Sequence, residues 1–126
     1  MPDAYTEIVL DHFKNPRNVG MLQHTDAVGR VENPASGASI VLYLQIVDEV
    51  VSRATFQTQG CTATIAASSV LTEMAVGRRV EEAEAISRVE IEGALGGLPP
   101  TRRHAAALAE DAVRAAVVDY RLRVQS

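Results

Sequence analysis

Residues 39–58 constrain the fold more than any other stretch. Over 39–47 the side chains alternate, with Ile40, Leu42, Leu44 and Ile46 on one side and Val41, Tyr43, Gln45 and Val47 on the other. Successive side chains of a strand point to opposite faces, so this run predicts a strand with one apolar face. Asp48-Glu49 supplies a turn. Residues 50–58 then return with Ala54 and Phe56 on one face and Arg53, Thr55 and Gln57 on the other. The pair predicts an antiparallel hairpin, and a further strand over 27–32 extends it to a three-stranded meander with helices on one face.

Directly after the hairpin comes Thr58-Gln59-Gly60-Cys61-Thr62-Ala63-Thr64-Ile65, which contains the single cysteine of the chain. Residues 62–75 carry Ala63, Ile65, Ala66, Ala67, Val70, Leu71, Met74 and Ala75. A helix that is apolar over so much of its surface packs deep. Cys61 therefore falls on a glycine-preceded turn at a helix amino terminus, where free N–H groups and the positive end of the helix dipole favour a thiolate. A lone cysteine is more commonly a small buried hydrophobe, so its neighbours decide its role.

Before the sheet, Asp3 caps a first helix with Tyr5, Ile8, Val9 and His12 on one stripe, and Asn15-Pro16 ends it. Arg17-Asn18-Val19-Gly20 reads as a turn. After the cysteine helix, Gly77 is a stop, a short acidic helix covers 81–86, and another short segment lies around 91–95. Gly96-Gly97-Leu98-Pro99-Pro100 is a stiff break, after which Thr101 caps a long last helix over 102–123. Its buried stripe is Ala105, Ala109, Ala112, Val113, Ala116, Val117 and Tyr120, with Glu110, Arg114 and Arg121 toward water. The expected fold class is α+β, a small antiparallel three-stranded sheet against helices with a long C-terminal helix, in one domain spanning 1–126.

Twelve basic against sixteen acidic side chains give a net charge of −4, which argues against a general nucleic-acid or anionic-membrane binder. No apolar run approaches the roughly 20 residues of a membrane span. The Met-Pro-Asp-Ala-Tyr start shows no secretory pattern, and one cysteine closes no internal disulfide, so a cytoplasmic location is expected.

Arg102, Arg103 and His104 form the sharpest local inconsistency. Two arginines in the first turn of the last helix oppose its dipole, where carboxylates are better by about 0.3–1 kcal/mol each, so a recruiting surface is one reading and solvated side chains the other. His104 in that turn favours the neutral imidazole, the form that ligates metal, although a lone histidine is more often solvated or packed. His12 reads as packing or capping and His24 carries no signal. Glu81, Glu82 and Glu84 read as a solvated face. Ser36 lacks a nucleophile-elbow context, and no phosphate loop, dinucleotide fingerprint or paired-cysteine zinc pattern is present.

The run Tyr5-Thr6-Glu7-Ile8-Val9-Leu10-Asp11-His12-Phe13-Lys14-Asn15-Pro16-Arg17-Asn18-Val19-Gly20 resembles the start of the U-type iron–sulfur cluster assembly scaffolds, the family of IscU and the amino-terminal domain of NifU. Gln59-Gly60-Cys61, Leu98-Pro99-Pro100 and Leu108-Ala109-Glu110-Asp111-Ala112 extend the resemblance nearly end to end. It implies a scaffold, not an enzyme, acting in iron–sulfur assembly. Family scaffolds use three cysteines, an aspartate and a histidine. The matching positions here are Ser36 and Cys61 for two cysteines, Ala38 for the aspartate, His104 for the histidine and Ala105 for the third cysteine. The resemblance thus leaves Cys61 and His104 as an incomplete metal site, for a cluster, iron or zinc held weakly or between subunits. A [2Fe–2S] centre wants four ligands, so one chain is not expected to hold one alone.

The resemblance also implies a cysteine desulfurase as partner, and an Hsp70-type chaperone through Leu98-Pro99-Pro100-Thr101-Arg102, which keeps the apolar half of the family's Leu-Pro-Pro-Val-Lys segment and one basic residue. Four readings follow. In the first, a scaffold-like protein uses Cys61 as persulfide acceptor or as a single thiolate ligand. In the second, a non-catalytic module occupies and regulates partner surfaces. The third is a thiol enzyme pairing Cys61 with His104, for which no substrate or oxyanion motif is found. The fourth is a laboratory variant in which Ser36, Ala38 and Ala105 were introduced. SufE-type proteins, similar in fold and dependent on one cysteine, favour the first by analogy.

Overall fold

A computed structural model describes residues 4–125. Three strands, β1 (Ala27–Asn33), β2 (Ala38–Val47) and β3 (Val50–Gln59), form an antiparallel meander in the order β1-β2-β3. Alternation decides which face is buried: Ile40, Leu42 and Leu44 of β2 are fully sealed, as are Ala54 and Phe56 of β3 to within 2%. The two-residue turn between β2 and β3 places both Asp48 (φ 53°) and Glu49 (φ 63°) in the left-handed region, the geometry whose twist matches a hairpin. The outer edge of β3 is closed by chain rather than left open. Phe56 donates its N–H to the Asn18 carbonyl and accepts from the Gly20 N–H, while Val51 exchanges bonds with Arg78 and Gly77 at the other end.

The described residues form five α-helices: α1 (Glu7–Lys14), α2 (Thr62–Ala75), α3 (Val80–Glu84), α4 (Arg88–Ala94) and α5 (His104–Val124). Of these, α2 and α5 lie on the sheet, α1 packs on α2, and α4 packs on α5 and α2. The expected bounds of α2 and the end of α1 at Asn15 agree with the structure. The expected Asp3 cap lies outside the described residues; Thr6 caps α1, its hydroxyl accepting the Val9 N–H at 3.1 Å. Ile8, expected on the inner stripe with Val9 and His12, is 45% exposed, because the side of α1 that meets α2 carries Val9 and His12 instead.

Three expectations about α5 are overturned. Thr101 does not cap it, and Arg102 and Arg103 are not in its first turn. Pro100–Arg102 form a 3₁₀ turn, and Arg103, itself in helical conformation, serves as the N-cap before His104. The prolines start a tight turn whose residues already hold helical angles, so the chain enters α5 without the extended cap residue that Thr101 would have supplied. Glu110, expected toward water, is 3% exposed. Its carboxylate accepts the Arg88 N–H at 2.7 Å and the Arg88 guanidinium at 3.2 Å, and lies 3.4 Å from the Arg114 guanidinium, which pins the start of α4 to α5.

Candidate functional site

Strand register places the site. Asn33 pairs with Ala38 and Ser39 with Gln59, so the β1–β2 turn and the β3–α2 turn lie side by side at one end of the sheet. Ser36 occupies the first turn, exposed, with its hydroxyl accepting the Ala38 N–H at 3.2 Å. Ala38 is buried at the start of β2, and Ala105, next to His104 in α5, is sealed in the core.

Cys61 occupies the second turn as the N-cap of α2, with extended backbone (φ −80°, ψ 177°). The residue is half-buried and packs against the edge of the core, which leaves the sulfur neither sealed in hydrocarbon nor fully in water. Burial pushes its pKa up. Against this, the Thr64 hydroxyl at 3.5 Å, the backbone N–H groups of Thr64 and Ala63, and the charge of Arg102 all favour the ionised sulfur, and together they bring the thiol below its ordinary value. The amides act as oriented dipoles here, since the thiol closes no geometric cap hydrogen bond to them. Arg102, expected as one of two exposed cations on α5, is half-buried, and it is the cation whose charge reaches the sulfur. Arg103 turns instead to Glu92, with Nε 3.4 Å from its carboxylate.

His104 is half-buried and lines an open cleft with Arg88, Val89, Glu92, Arg103, Ala106 and Ala107. Cys61 does not line that cleft, and among the described residues its hydrogen-bond partner is Thr64 rather than His104. No group of three or more His, Cys, Asp or Glu side chains placed to hold a metal ion occurs among the described residues. His12 is packed, as expected, with Nδ1 2.7 Å from the Ser69 hydroxyl. His24 is exposed beside Asp26.

The residue missed by sequence reasoning is Thr64. It stands at the third helical position after the N-cap, the position whose side chain reaches back over the cap, and that spacing is the signal that finds it. The chaperone-like segment is also placed in an informative way. Leu98 (7% exposed) and Pro99 are buried, while Pro100 and Thr101 are exposed.

Fold and site together define an α+β scaffold-type domain that presents one ionisable sulfur where two turns meet at the end of a short sheet. The chain belongs to the NifU-like N-terminal domain family, which it matches over residues 4–126. It is 48% identical over 116 residues to an iron–sulfur cluster assembly scaffold protein IscU of Archaeoglobus fulgidus, covering 92% of this chain and 76% of that one. It is 43% identical over 122 residues to the scaffold protein IscU of Escherichia coli, covering 94% of each. The crystal structure of a NifU-like protein (N-terminal) from Brucella abortus superposes with a TM-score of 0.81 at 21% identity, covering 96% of both chains. A putative SUF-system scaffold from Fervidobacterium islandicum gives 0.76 at 18% identity over 90% of this chain and 96% of that one. These two likenesses speak for the fold alone. No helix among the described residues is long and apolar enough to cross a membrane.

Proposed function

We propose that this protein works in iron–sulfur cluster assembly as a scaffold-like protein whose active group is the Cys61 thiolate, accepting sulfur from a cysteine desulfurase. The observation that carries the reading is the half-exposed sulfur at the start of α2, where a buried hydroxyl, two amides and Arg102 favour its ionised form. The thiolate is the nucleophile in sulfur exchange. It attacks the outer sulfur of the donor's persulfide: a new S–S bond forms to Cys61, the donor's S–S bond breaks, and the donor cysteine leaves as a thiolate. The transferred sulfur keeps its proton, and charge and electrons balance without an external oxidant.

A whole cluster, the cargo of such a scaffold, does not fit one copy of this chain. Ser36 already accepts a backbone N–H, Ala38 and Ala105 are buried hydrocarbon, and His104 faces a cleft that Cys61 does not line. A hard hydroxyl replaces soft thiolate poorly. Cys61 and His104 by themselves fall short of the four donors that a cluster requires.

Partners follow from the same reading. A cysteine desulfurase meets the exposed end of the sheet where Cys61 lies. Recognition of Leu98-Pro99-Pro100-Thr101-Arg102 by an Hsp70-type chaperone requires Leu98 and Pro99 to leave the core, so it belongs to a locally opened state. The free thiol that the reading needs persists in a reducing compartment, which carries a cytoplasmic location with it.

The test is mass spectrometry of the purified protein after incubation with a cysteine desulfurase and cysteine. The expected result is a gain of one sulfur atom that Cys61→Ser abolishes. No gain with any desulfurase overturns the acceptor role, and a Cys61→Ser protein that still binds the desulfurase with full affinity then leaves a docking module.

A further inference from the structure

Thr64 is wholly buried, yet it carries a hydroxyl, and a hydroxyl taken out of water needs a partner. The other buried hydroxyls of α2 are engaged within the fold. Ser68 donates to the Thr64 carbonyl at 2.8 Å, Thr72 to the Ser69 carbonyl at 2.7 Å, and Ser69 meets His12 and the Arg17 N–H. The Thr64 hydroxyl differs in its partner, which is the Cys61 Sγ, 3.5 Å away.

Gly60 is fitted to the same threonine. A Cβ at position 60 would lie 2.8 Å from Thr64 Cβ and Oγ1 and 2.9 Å from Cγ2. The residue before the cysteine therefore gives Thr64 the space beside the turn, and the threonine in turn has its oxygen held over the sulfur. With the thiol neutral, either atom can donate. Once the sulfur loses its proton it has none to give, so the hydroxyl must be the donor.

Resting on the acceptor reading above, we infer that Thr64 is a positioning residue for sulfur transfer: its hydroxyl donates to the Cys61 thiolate, holding the sulfur in its attacking state and in one orientation. The proton of the thiol leaves to solvent before attack, and the hydroxyl keeps its own. A donor already buried and aimed needs no reorganisation when the charge appears.

The experiment is the rate of Cys61 alkylation by iodoacetamide on the full chain, from about pH 6 to pH 10, alongside thermal melting. Thr64→Val keeps the shape and removes the hydroxyl, while Thr64→Ser restores the hydroxyl without the methyl. The expected result is a raised titration midpoint in Thr64→Val, with alkylation at neutral pH slowed about threefold to tenfold, and a midpoint near that of the unaltered protein in Thr64→Ser. A purely structural threonine would lower the melting temperature and leave the midpoint in place, which overturns the inference. If Thr64→Val does not fold, Thr64→Ala is read in its stead, again with a raised midpoint in favour and an unchanged one against.

Alkylation needs no sulfur donor, so the two readings fail separately. A raised midpoint in the variant, with no sulfur gained by the unaltered protein from a desulfurase, keeps the hydroxyl's hold on the thiolate and removes the acceptor role. Equal sulfur gain by the unaltered protein and Thr64→Val, at one shared midpoint, keeps the acceptor role and removes Thr64 from it.

Discussion

Gly29 of β1 lies flush against Ala112 of α5: a Cβ on the glycine would come within 2.2 Å of the Ala112 carbonyl oxygen and 2.6 Å of the Ala116 amide nitrogen. The obstacle is helix backbone, which no rotamer change can move aside. Gly29→Ala must lift α5 off the sheet along the contact that Ala112 and Ala116, both fully buried, exist to make. The expected cost is about 3 kcal/mol or more, at the upper end of overpacking. Urea denaturation followed by circular dichroism measures it, and a midpoint equal to that of the unaltered protein would show that α5 does not rest on β1 at Gly29.

Gly60→Ala offends a side chain rather than a backbone, with Thr64 Cβ and Oγ1 at 2.8 Å. Threonine can give way where a helix cannot, so destabilisation of about 1–3 kcal/mol is expected. The displaced hydroxyl no longer faces Cys61, and the sulfur loses a contact that favours its ionised form. Denaturation and the pH dependence of iodoacetamide alkylation, read on the same sample, should both move. A lowered stability with unmoved alkylation would separate the glycine's packing role from the sulfur's chemistry.

Glu110 anchors α4 to α5 through the Arg88 N–H and two guanidinium groups. Both cations are more than half exposed, 60% for Arg88 and 54% for Arg114, so removing the carboxylate strands no buried positive charge. The loss is that of charge-assisted hydrogen bonds, and Glu110→Ala is expected to cost about 1.5–3 kcal/mol. Glu110→Gln keeps an acceptor for the amide and should cost less. Thermal melting of the two variants ranks them; equal costs would mean that the charge, and not the amide cap, carries the interaction.

The sheet, α2 and the long last helix were legible because each is written in periodicity. Ile40, Leu42 and Leu44 alternate, and the positive φ of Asp48 and Glu49 answers to a two-residue connection between strands. What escaped was set by tertiary neighbours. A glutamate on an alanine-rich helix reads as its wet side, and nothing near Glu110 in the sequence announces that Arg88, 22 residues away, will cap itself on it. The start of α5 escaped because a 3₁₀ turn over Pro100–Arg102 runs into the helix with no break in backbone angles. At the site, Cys61 was legible as a helix-start thiol from Gly60 and the apolar run that follows. Its partner Thr64 was passed over because, in a helix of small residues, it looks like one more buried filler, although its spacing from the cap marks it. The cleft that His104 lines was not legible either, since Arg88, Val89 and Glu92 reach it from α4, far from His104 in sequence.

His12 makes stability fall with acid. It is 5% exposed, with Nδ1 against the Ser69 hydroxyl at 2.7 Å and Nε2 3.5 Å from Glu73. Ser69 also accepts the Arg17 N–H at 2.9 Å, so its own hydrogen is free to point at Nδ1 while the imidazole is neutral. Burial, reinforced by the Arg17 charge, holds the His12 pKa below the ordinary histidine value, against the opposing pull of Glu73 and Asp11. The unfolded chain therefore binds a proton at a higher pH than the folded one. Stability from the neutral ring is complete above about pH 6.5 and is lost as pH falls from there through the lowered folded value. Glu110, whose pKa is also lowered by its partners, adds a second loss with the same sign in the more acidic carboxylate range. Melting temperatures measured at steps from about pH 7.5 down to 5.5 should fall in the unaltered protein before that carboxylate window opens. His12→Asn, which offers an acceptor where Nδ1 sits and cannot titrate, should start less stable and stay nearly flat over the same steps. A variant that falls as steeply as the unaltered protein would assign the acid sensitivity to a group other than His12.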